Sequence, residues 1–393
     1  MRILHVLGAL RLPRAPDVDG CSGVARATLE LAREQAAQGH DVWIASVGEE
    51  AWRERWCGVQ LVQLAHRPWA RARSYGRTFD FRVHLPYIAF TRRERFDVVH
   101  GQMYPYLRFL RARARVAHFH HNPDTMSWSD LRRSVLCSHA QVGVSTFVTD
   151  QLRRRMPAAR SVHTVHNGVD LAHFDGMRWQ DERRRLRAGW GMGEGEVAFL
   201  FAGAIVPEKG VLTLGRAFAR LSVTDPGVHL VLAGDVGLWD LTTRRHEGAH
   251  EYHAQVVDAL EQVREPDHVH ALGRVSGPDI AAVYAACDVL VVPSRMTPTF
   301  AEACPLVALE GMASGRPVIG SATGGLPEVI GLGAGTLFPA DDEQALEAAM
   351  RELARDPEKR RALGVRAREN LSHLTWNATV RRLEGIYRQH LGG

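Results

Sequence analysis

Glu302 and Glu310 stand eight positions apart on either side of a predicted helix start, and chemistry is most legible there. From Leu306 the apolar residues Leu306, Val307, Leu309, Met312 and Ala313 recur at three- and four-residue steps. Gly315, with Pro317 behind it, ends that pattern. The helix is predicted to begin near Pro305, because proline suits the first helical position, where its missing N–H costs nothing. A helix N-terminus offers unpaired N–H groups and partial positive charge, so it favours an anion. Glu302, just outside it, reads either as a cap or as a group facing a ligand. Lys209 is the next candidate. Among the 49 basic residues only Lys209 and Lys359 are lysines, and a compact charge on a flexible stem suits a phosphate. Lys359 lies in a surface-helix pattern, so a lysine here can also be incidental. His118, His120 and His121 form a third cluster. On a strand His118 and His120 share one face and His121 takes the other, and no partner ligands lie nearby in sequence, so no metal is expected. Cys304, beside the acids, has no flanking histidine and reads as packing.

These residues need a frame, and the pattern supplies an α/β one. Short apolar runs at 3–7, 42–45, 96–100, 116–122, 142–145, 162–166, 198–203, 230–234, 268–272 and 289–292 read as buried parallel strands. Helical patterns at 24–38, 146–156, 211–221 and 280–286 alternate with them, and others follow at 341–355, 358–372 and 376–391. Residues 47–95 give no clear pattern. The turn Thr323-Gly324-Gly325-Leu326-Pro327-Glu328 follows the apolar run 317–320 and brings bare backbone to the edge where 289–292 ends. Two such loops on adjacent strands mark a ligand crevice at the strands' C-terminal ends. Gly20-Cys21-Ser22-Gly23 partly resembles a dinucleotide-binding turn. Its glycines come too late after the first strand, however, and the second strand ends in Ala45-Ser46 where a ribose-binding acid belongs. Asp17-Val18-Asp19 has metal-binding spacing but lies among turn residues, so no metal is assigned to it.

Glu302, Glu310, Gly315-Arg316-Pro317-Val318 and Gly324-Gly325-Leu326-Pro327-Glu328, in that order, resemble the signature of the retaining glycosyltransferases of family 4. The resemblance extends over nearly the whole chain. It implies the GT-B fold: two facing Rossmann-like domains with a cleft between, and a C-terminal helix crossing back to the first. The expected boundaries are 1–175 for an acceptor-side domain, 176–375 for a nucleotide-sugar domain, and 376–393 for that helix. The activity implied is transfer of a sugar from a nucleotide-sugar to a hydroxyl acceptor, with UDP-sugars favoured and GDP-sugars next. By the same resemblance Glu302 meets the transferred sugar's hydroxyls and Glu310 the ribose. Lys209 and the N–H groups beyond Pro305, at Leu306 and Val307, hold the diphosphate. Gly203, Gly324 and Gly325 line the donor site. His120 serves near the sugar's hydroxyls and the leaving phosphate. Ser22 and Gly23 match the loop after the first strand, and Asn167 lies in His166-Asn167-Gly168-Val169-Asp170, which resembles the motif closing the first domain. Where the family usually has a phosphate-gripping arginine this chain has Ala204, and Arg274 is the candidate substitute. No cofactor or metal is expected, the nucleotide-sugar being a co-substrate.

Composition narrows the rivals. The chain of 393 residues, 45% hydrophobic and 24% charged, fits a two-domain globular protein. Cys21, Cys57, Cys137, Cys287 and Cys304 are scattered without a C-x-x-C pair, which predicts reduced thiols in a cytoplasm. No export signal or membrane-length run is seen. Residues 1–180 hold 26 Arg against 16 acids, while 181–393 hold 23 Lys+Arg against 28 acids. That asymmetry is either a solvated surface or a sign of an anionic partner such as the inner face of a membrane; nucleic acid is disfavoured. Acceptors in view are a glycan, a lipid-linked group or a small natural product. The alternatives are a nucleotide-sugar epimerase, a phosphorylase, or a non-catalytic sugar- or nucleotide-binding protein on a similar fold.

Overall fold

The computed structural model describes residues 1–8, 10, 12–14, 22–66, 81–235, 249–275, 278–331 and 333–391. Asp17-Val18-Asp19, Gly20 and Cys21 lie outside them. The chain divides into two units, Met1–Gly168 with Trp376–Gly393, and Val169–Thr375. Residues 169–175 therefore go with the second unit, where Val169 bridges to Thr375.

The first unit is built on β1 (Arg2–Val6), β2 (Asp41–Gly48), β3 (Trp52–Trp56), β4 (Val59–Ala65), β5 (Phe96–Gln102), β6 (Ala112–Phe119), β7 (Ala140–Gly143) and β8 (Val162–Thr164). Their order across the sheet is β3-β4-β2-β1-β5-β6-β7-β8, parallel except for the β3–β4 pair. Connections run outward on one side from β1 and on the other from β5, so the strand order reverses between those two. The β3–β4 hairpin falls in the stretch whose pattern was silent. Its two turn residues, Cys57 (φ 46°) and Gly58 (φ 84°), are both left-handed, as a tight hairpin turn of the right twist requires. The helix Gly23–Ala37 packs on β2 with Ala25, Leu29 and Ala32 in a core shared with Val42, Ile44 and Leu61. The helix Trp376–Leu391 belongs to this unit, where Tyr387 Oη meets His100 Nδ1 at 2.6 Å.

The second unit carries β9 (Val197–Ala202), β10 (Val228–Ala233), β11 (Val269–Gly273), β12 (Val289–Val292), β13 (Val318–Ser321) and β14 (Gly335–Phe338). All are parallel, in the order β11-β10-β9-β12-β13-β14, so the reversal falls between β9 and β12. Both are fully apolar and buried, apart from half-buried Ala202 at the end of β9. The Arg-rich segment before β9 supplies the first α-helix of this unit. Its helix Gln180–Gly189 holds the sheet through Arg183 and Arg187, each 2.8 Å from a carboxylate oxygen of Asp288. Asp288 also accepts the Ala198 N–H at 2.9 Å, and the two guanidiniums help hold its carboxyl below the usual range despite burial. No described helix is long and apolar enough to cross a membrane.

Candidate active site

The crevice position of an open parallel sheet is the C-terminal edge at the strand-order reversal. In the second unit the turns after β9 and β12 occupy that place. Gly203 (φ 146°) leaves β9, donating its N–H to Ala233 O at 3.0 Å. A short 3-10 turn, Pro207–Lys209, then presents Lys209, and Gly210 (φ 67°) follows. A Cβ on Gly210 would lie 1.9 Å from the carbonyl oxygen of Pro293, which stands immediately after β12. The two turns are thus in backbone contact, and Arg295 N–H donates to Glu208 O at 2.9 Å across them.

Lys209 and Glu302 meet in this packed corner. Lys209 Nζ donates to Glu302 Oε1 and lies 5.2 Å from the centre of the Phe300 ring. Ser294 Oγ donates to the same carboxylate oxygen at 2.9 Å. Glu302 is only 7% exposed, so its charge is balanced by Lys209 rather than by water. Its backbone is held as well: Gly325 N–H donates to Glu302 O at 2.8 Å, and Gly324 (φ 58°) would place a Cβ 2.1 Å from that oxygen. Left-handed backbone and close approach together demand glycine at 324. Gly324→Ala is therefore expected to lower stability by about 2 kcal/mol. A shift in the denaturation midpoint measures it, and an unchanged midpoint would show that the turn yields.

The helix that follows, Leu306–Ala313, starts one residue later than expected. Pro305 is its N-cap in extended conformation (φ −69°, ψ 123°) and, with no polar side-chain atom, makes no side-chain cap bond, while Glu302 is turned to Lys209. The cap reading of Glu302 is thereby corrected. Leu306 and Val307, half-buried, form the first turn of that uncapped start. Glu310 is 4% exposed and accepts from Tyr284 Oη at 3.0 Å. Gly311 lets the helix lie on β12, since a Cβ there would be 2.6 Å from Leu290 Cδ2. Ala204 is buried, while Arg274 is exposed just beyond β11, with β10 between that strand and β9. Arg274 is not brought against Lys209 by any recorded contact. Lys359 pairs with Glu352 on the surface, the incidental role its context suggested. Cys304 is buried among these elements.

In the first unit, His120 follows β6 and is buried. A relay of amides and imidazoles orients it. His120 Nε2 donates to Gln102 Oε1 at 2.6 Å, Gln102 Nε2 donates to His5 Nδ1 at 2.9 Å, and His5 Nε2 donates to Gln35 Oε1 at 2.7 Å. That chain fixes the tautomer of both rings. Burial and the neighbouring rings push His120 well below the ordinary histidine range, so it is neutral. The His118 ring lies tilted against it, with centroids 4.2 Å apart, while His121 is exposed, so the three histidines do not converge on a common ion. Ser22 Oγ caps the helix Gly23–Ala37 by accepting the Ala25 N–H at 3.3 Å. A Cβ on Gly23 would meet open space, and Asn167 is buried near the end of the unit.

Ser294, Tyr284 and Gln102 are the partners that sequence reading missed. Ser294 carried the one available signal, a hydroxyl two residues past the end of a buried strand on the crevice edge. Tyr284 and Gln102 sit inside apolar patterns and gave none.

Known proteins resemble this chain over both units. A model described as Glycosyltransferase Family 4 matches residues 21–173, and one described as Glycosyl transferases group 1 matches residues 182–370. A D-inositol 3-phosphate glycosyltransferase of Saccharomonospora viridis is 35% identical over 61% of this chain and 53% of its own. The match thus spans about half of that relative. Spore coat protein SA of Bacillus subtilis is 29% identical over 98% of this chain and 99% of its own. Among solved structures, sucrose-phosphate synthase of Thermosynechococcus elongatus aligns over 100% of both chains, with a TM-score of 0.80 and 22% identity. Anabaena HepE, solved with UDP, aligns over 99% of this chain and 100% of its own, with a TM-score of 0.75 and 16% identity. The fold is GT-B. With both units matched by family models, the chain belongs to the glycosyltransferases of group 1 and family 4.

Proposed function

We propose that this chain is a retaining glycosyltransferase that moves a sugar from a nucleotide-sugar, UDP-linked first and GDP-linked next, to a hydroxyl acceptor. The observation that supports this most is the meeting of Lys209, Glu302 and an uncapped helix start around the β9–β12 reversal. An ammonium has three N–H donors. Glu302 takes one, leaving two for a diphosphate that would also rest on the N–H groups of Leu306 and Val307. Glu310 is assigned to the ribose hydroxyls, with Gly203, Gly324 and Gly325 offering bare backbone and Arg274 a second cation.

In the reaction the bond from the anomeric carbon to the diphosphate oxygen breaks as the bond to the acceptor oxygen forms. The acceptor's proton passes to the departing diphosphate on the same face. Lys209 and the helix start supply the charge that the leaving group needs, so the step is assigned no metal. The Glu302 carboxylate favours positive charge at the sugar. In the first unit, His120, Ser22, Gly23 and Asn167 are assigned to the acceptor side. That unit also exposes Arg92, Arg93 and Arg95, together with Trp128 and Phe109, which suits a peripheral contact with an anionic lipid surface. The named activities of the relatives span a polyol phosphate, a lipopolysaccharide and a phosphatidylinositol mannoside, and set the acceptors to try.

The test is a thermal-shift series with UDP, GDP and ADP, followed by nucleotide release from the matching sugars in EDTA, with and without acceptor. One nucleotide should raise the melting point, and release should require acceptor. Lys209→Ala should weaken that nucleoside diphosphate roughly 10- to 100-fold and the bare nucleoside little. Release without acceptor would indicate epimerase or hydrolase chemistry. Equal losses for nucleotide and nucleoside would remove Lys209 from the phosphates.

A further inference from the structure

A second cluster of chemistry-bearing side chains lies at the opposite, N-terminal edge of the same sheet. Glu196 stands one residue before β9, His229 is the second residue of β10, and His268 ends the 3-10 turn Pro266–His268 that enters β11. Parallel pairing brings these strand starts side by side, with His229 opposite Ala198 and Leu230 opposite Val269. One ligand atom from each of Glu196, His229 and His268 lies within 4.8 Å of the other two. No other such group occurs among the described residues.

The hydrogen bonds around the cluster prepare those atoms. His268 Nδ1 donates to Val228 O at 3.1 Å, which leaves its Nε2 with a free lone pair. His229 is 1% exposed; its Nε2 is 3.0 Å from Glu196 Oε2 and its Nδ1 is 3.0 Å from His270 Nε2. That second contact works for either tautomer of the His229–His270 pair. Glu196 is oriented by the Gly193 N–H, and Trp190 stacks on His270 at 5.4 Å. The His229 and His268 rings lie 3.9 Å apart and nearly parallel.

We propose that Glu196, His229 and His268 form a divalent transition-metal site, best matched to zinc, with His270 as the outer partner. One carboxylate and two neutral imidazoles are a zinc donor set, with water in the fourth position. On binding, the metal replaces the proton on His229 Nε2. His229 then carries its proton on Nδ1 and donates it to His270 Nε2, whose own proton shifts to its Nδ1, giving the kind of outer-shell bond that fixes a ligating ring. The ligand atoms, now within 4.8 Å of one another, must close to a tetrahedral edge of about 3.3 Å around the ion. Such an ion ties together the starts of β9, β10 and β11 at the edge away from Lys209 and Glu302, so its role is structural rather than in transfer.

The test uses the full-length, tag-free protein stripped with chelator and titrated with zinc chloride by calorimetry, with metal content measured after dialysis. One zinc per chain and a rise of several degrees in the melting point are expected. His268→Ala, at a half-buried position, and Glu196→Gln should each weaken zinc binding by roughly 100-fold. Both should keep the metal-free melting point and the nucleotide-induced shift. Absence of retained zinc would overturn the site. So would equal zinc binding in both variants, because the ion would then be held by other histidines.

Discussion

Glu302→Gln is expected to lower the transfer rate by about 10²- to 10³-fold while nucleoside diphosphate binding stays equal or becomes tighter. The argument rests on where Glu302 points. Its carboxylate is buried against Lys209 and Ser294, at the reversal of strand order, instead of capping the helix three residues on. Gln keeps the shape and an oxygen for the Ser294 hydroxyl, so the corner should fold. It removes only the negative charge. A sugar losing its diphosphate becomes positive at the anomeric carbon, and a fixed buried charge nearby stabilises that state more than the ground state. Lys209, relieved of its partner, is freer to meet the diphosphate. A kcat loss without a Kd loss is therefore the signature. Full activity in the variant would end the role of Glu302, and a parallel loss of nucleotide affinity would reduce it to a binding group. Lys209→Ala makes the converse case, since it strands a buried carboxylate and should cost stability as well as affinity.

How far the site was readable depended on the range of the interaction. The strand 289–292, the helix after it and the Gly324-Gly325 turn follow from periodicity and turn chemistry within a few residues, and they form as expected. Pro305 was placed one step too far into the helix, because proline is comfortable both at the cap and at the first helical position. The Lys209–Glu302 contact joins residues 93 apart. The crevice rule joined the loops after 289–292 and 317–320, and only the family resemblance added the Lys209 loop to the same site. The β3–β4 hairpin was invisible because Cys57 holds a left-handed position where Asn, Asp or Gly would have announced a turn. Nothing in the local pattern singles out Arg183 and Arg187, which Asp288 at the foot of β12 turns into anchors. A buried acid at a strand start has no local signature of its partner.

The first unit should lose stability steeply between about pH 6.5 and pH 4. His5, His100, His118 and His120 form a continuous row of buried rings across β1, β5 and β6, with centroids 5.0, 4.9 and 4.2 Å apart. Burial lowers all four pKa values, to about 4 for His5, and neighbouring rings lower those of His100, His118 and His120 further. Both nitrogens of His118 and the Nε2 of His100 are buried without a partner, so a proton taken up there has nothing to neutralise it. The facing groups are neutral: Gln35 from the helix Gly23–Ala37, Gln102 from β5, and Tyr387, whose burial raises its own pKa. The sign follows from proton counting. The unfolded chain binds protons on these rings below about pH 6.5 while the folded unit does not, so stability is complete above that value and falls as pH drops. Each ring that protonates only on unfolding adds about 1.4 kcal/mol per pH unit. Amide exchange on β5 and β6, measured from about pH 7.5 to about pH 5 and corrected for the intrinsic rate, reads this locally and excludes the second unit's histidines. His118→Leu fills a similar volume without a titratable nitrogen, and should hold or raise stability at neutral pH while reducing the slope by one proton. A stability that stayed flat across that range, or a slope untouched by His118→Leu, would mean that the row admits protons in the folded state.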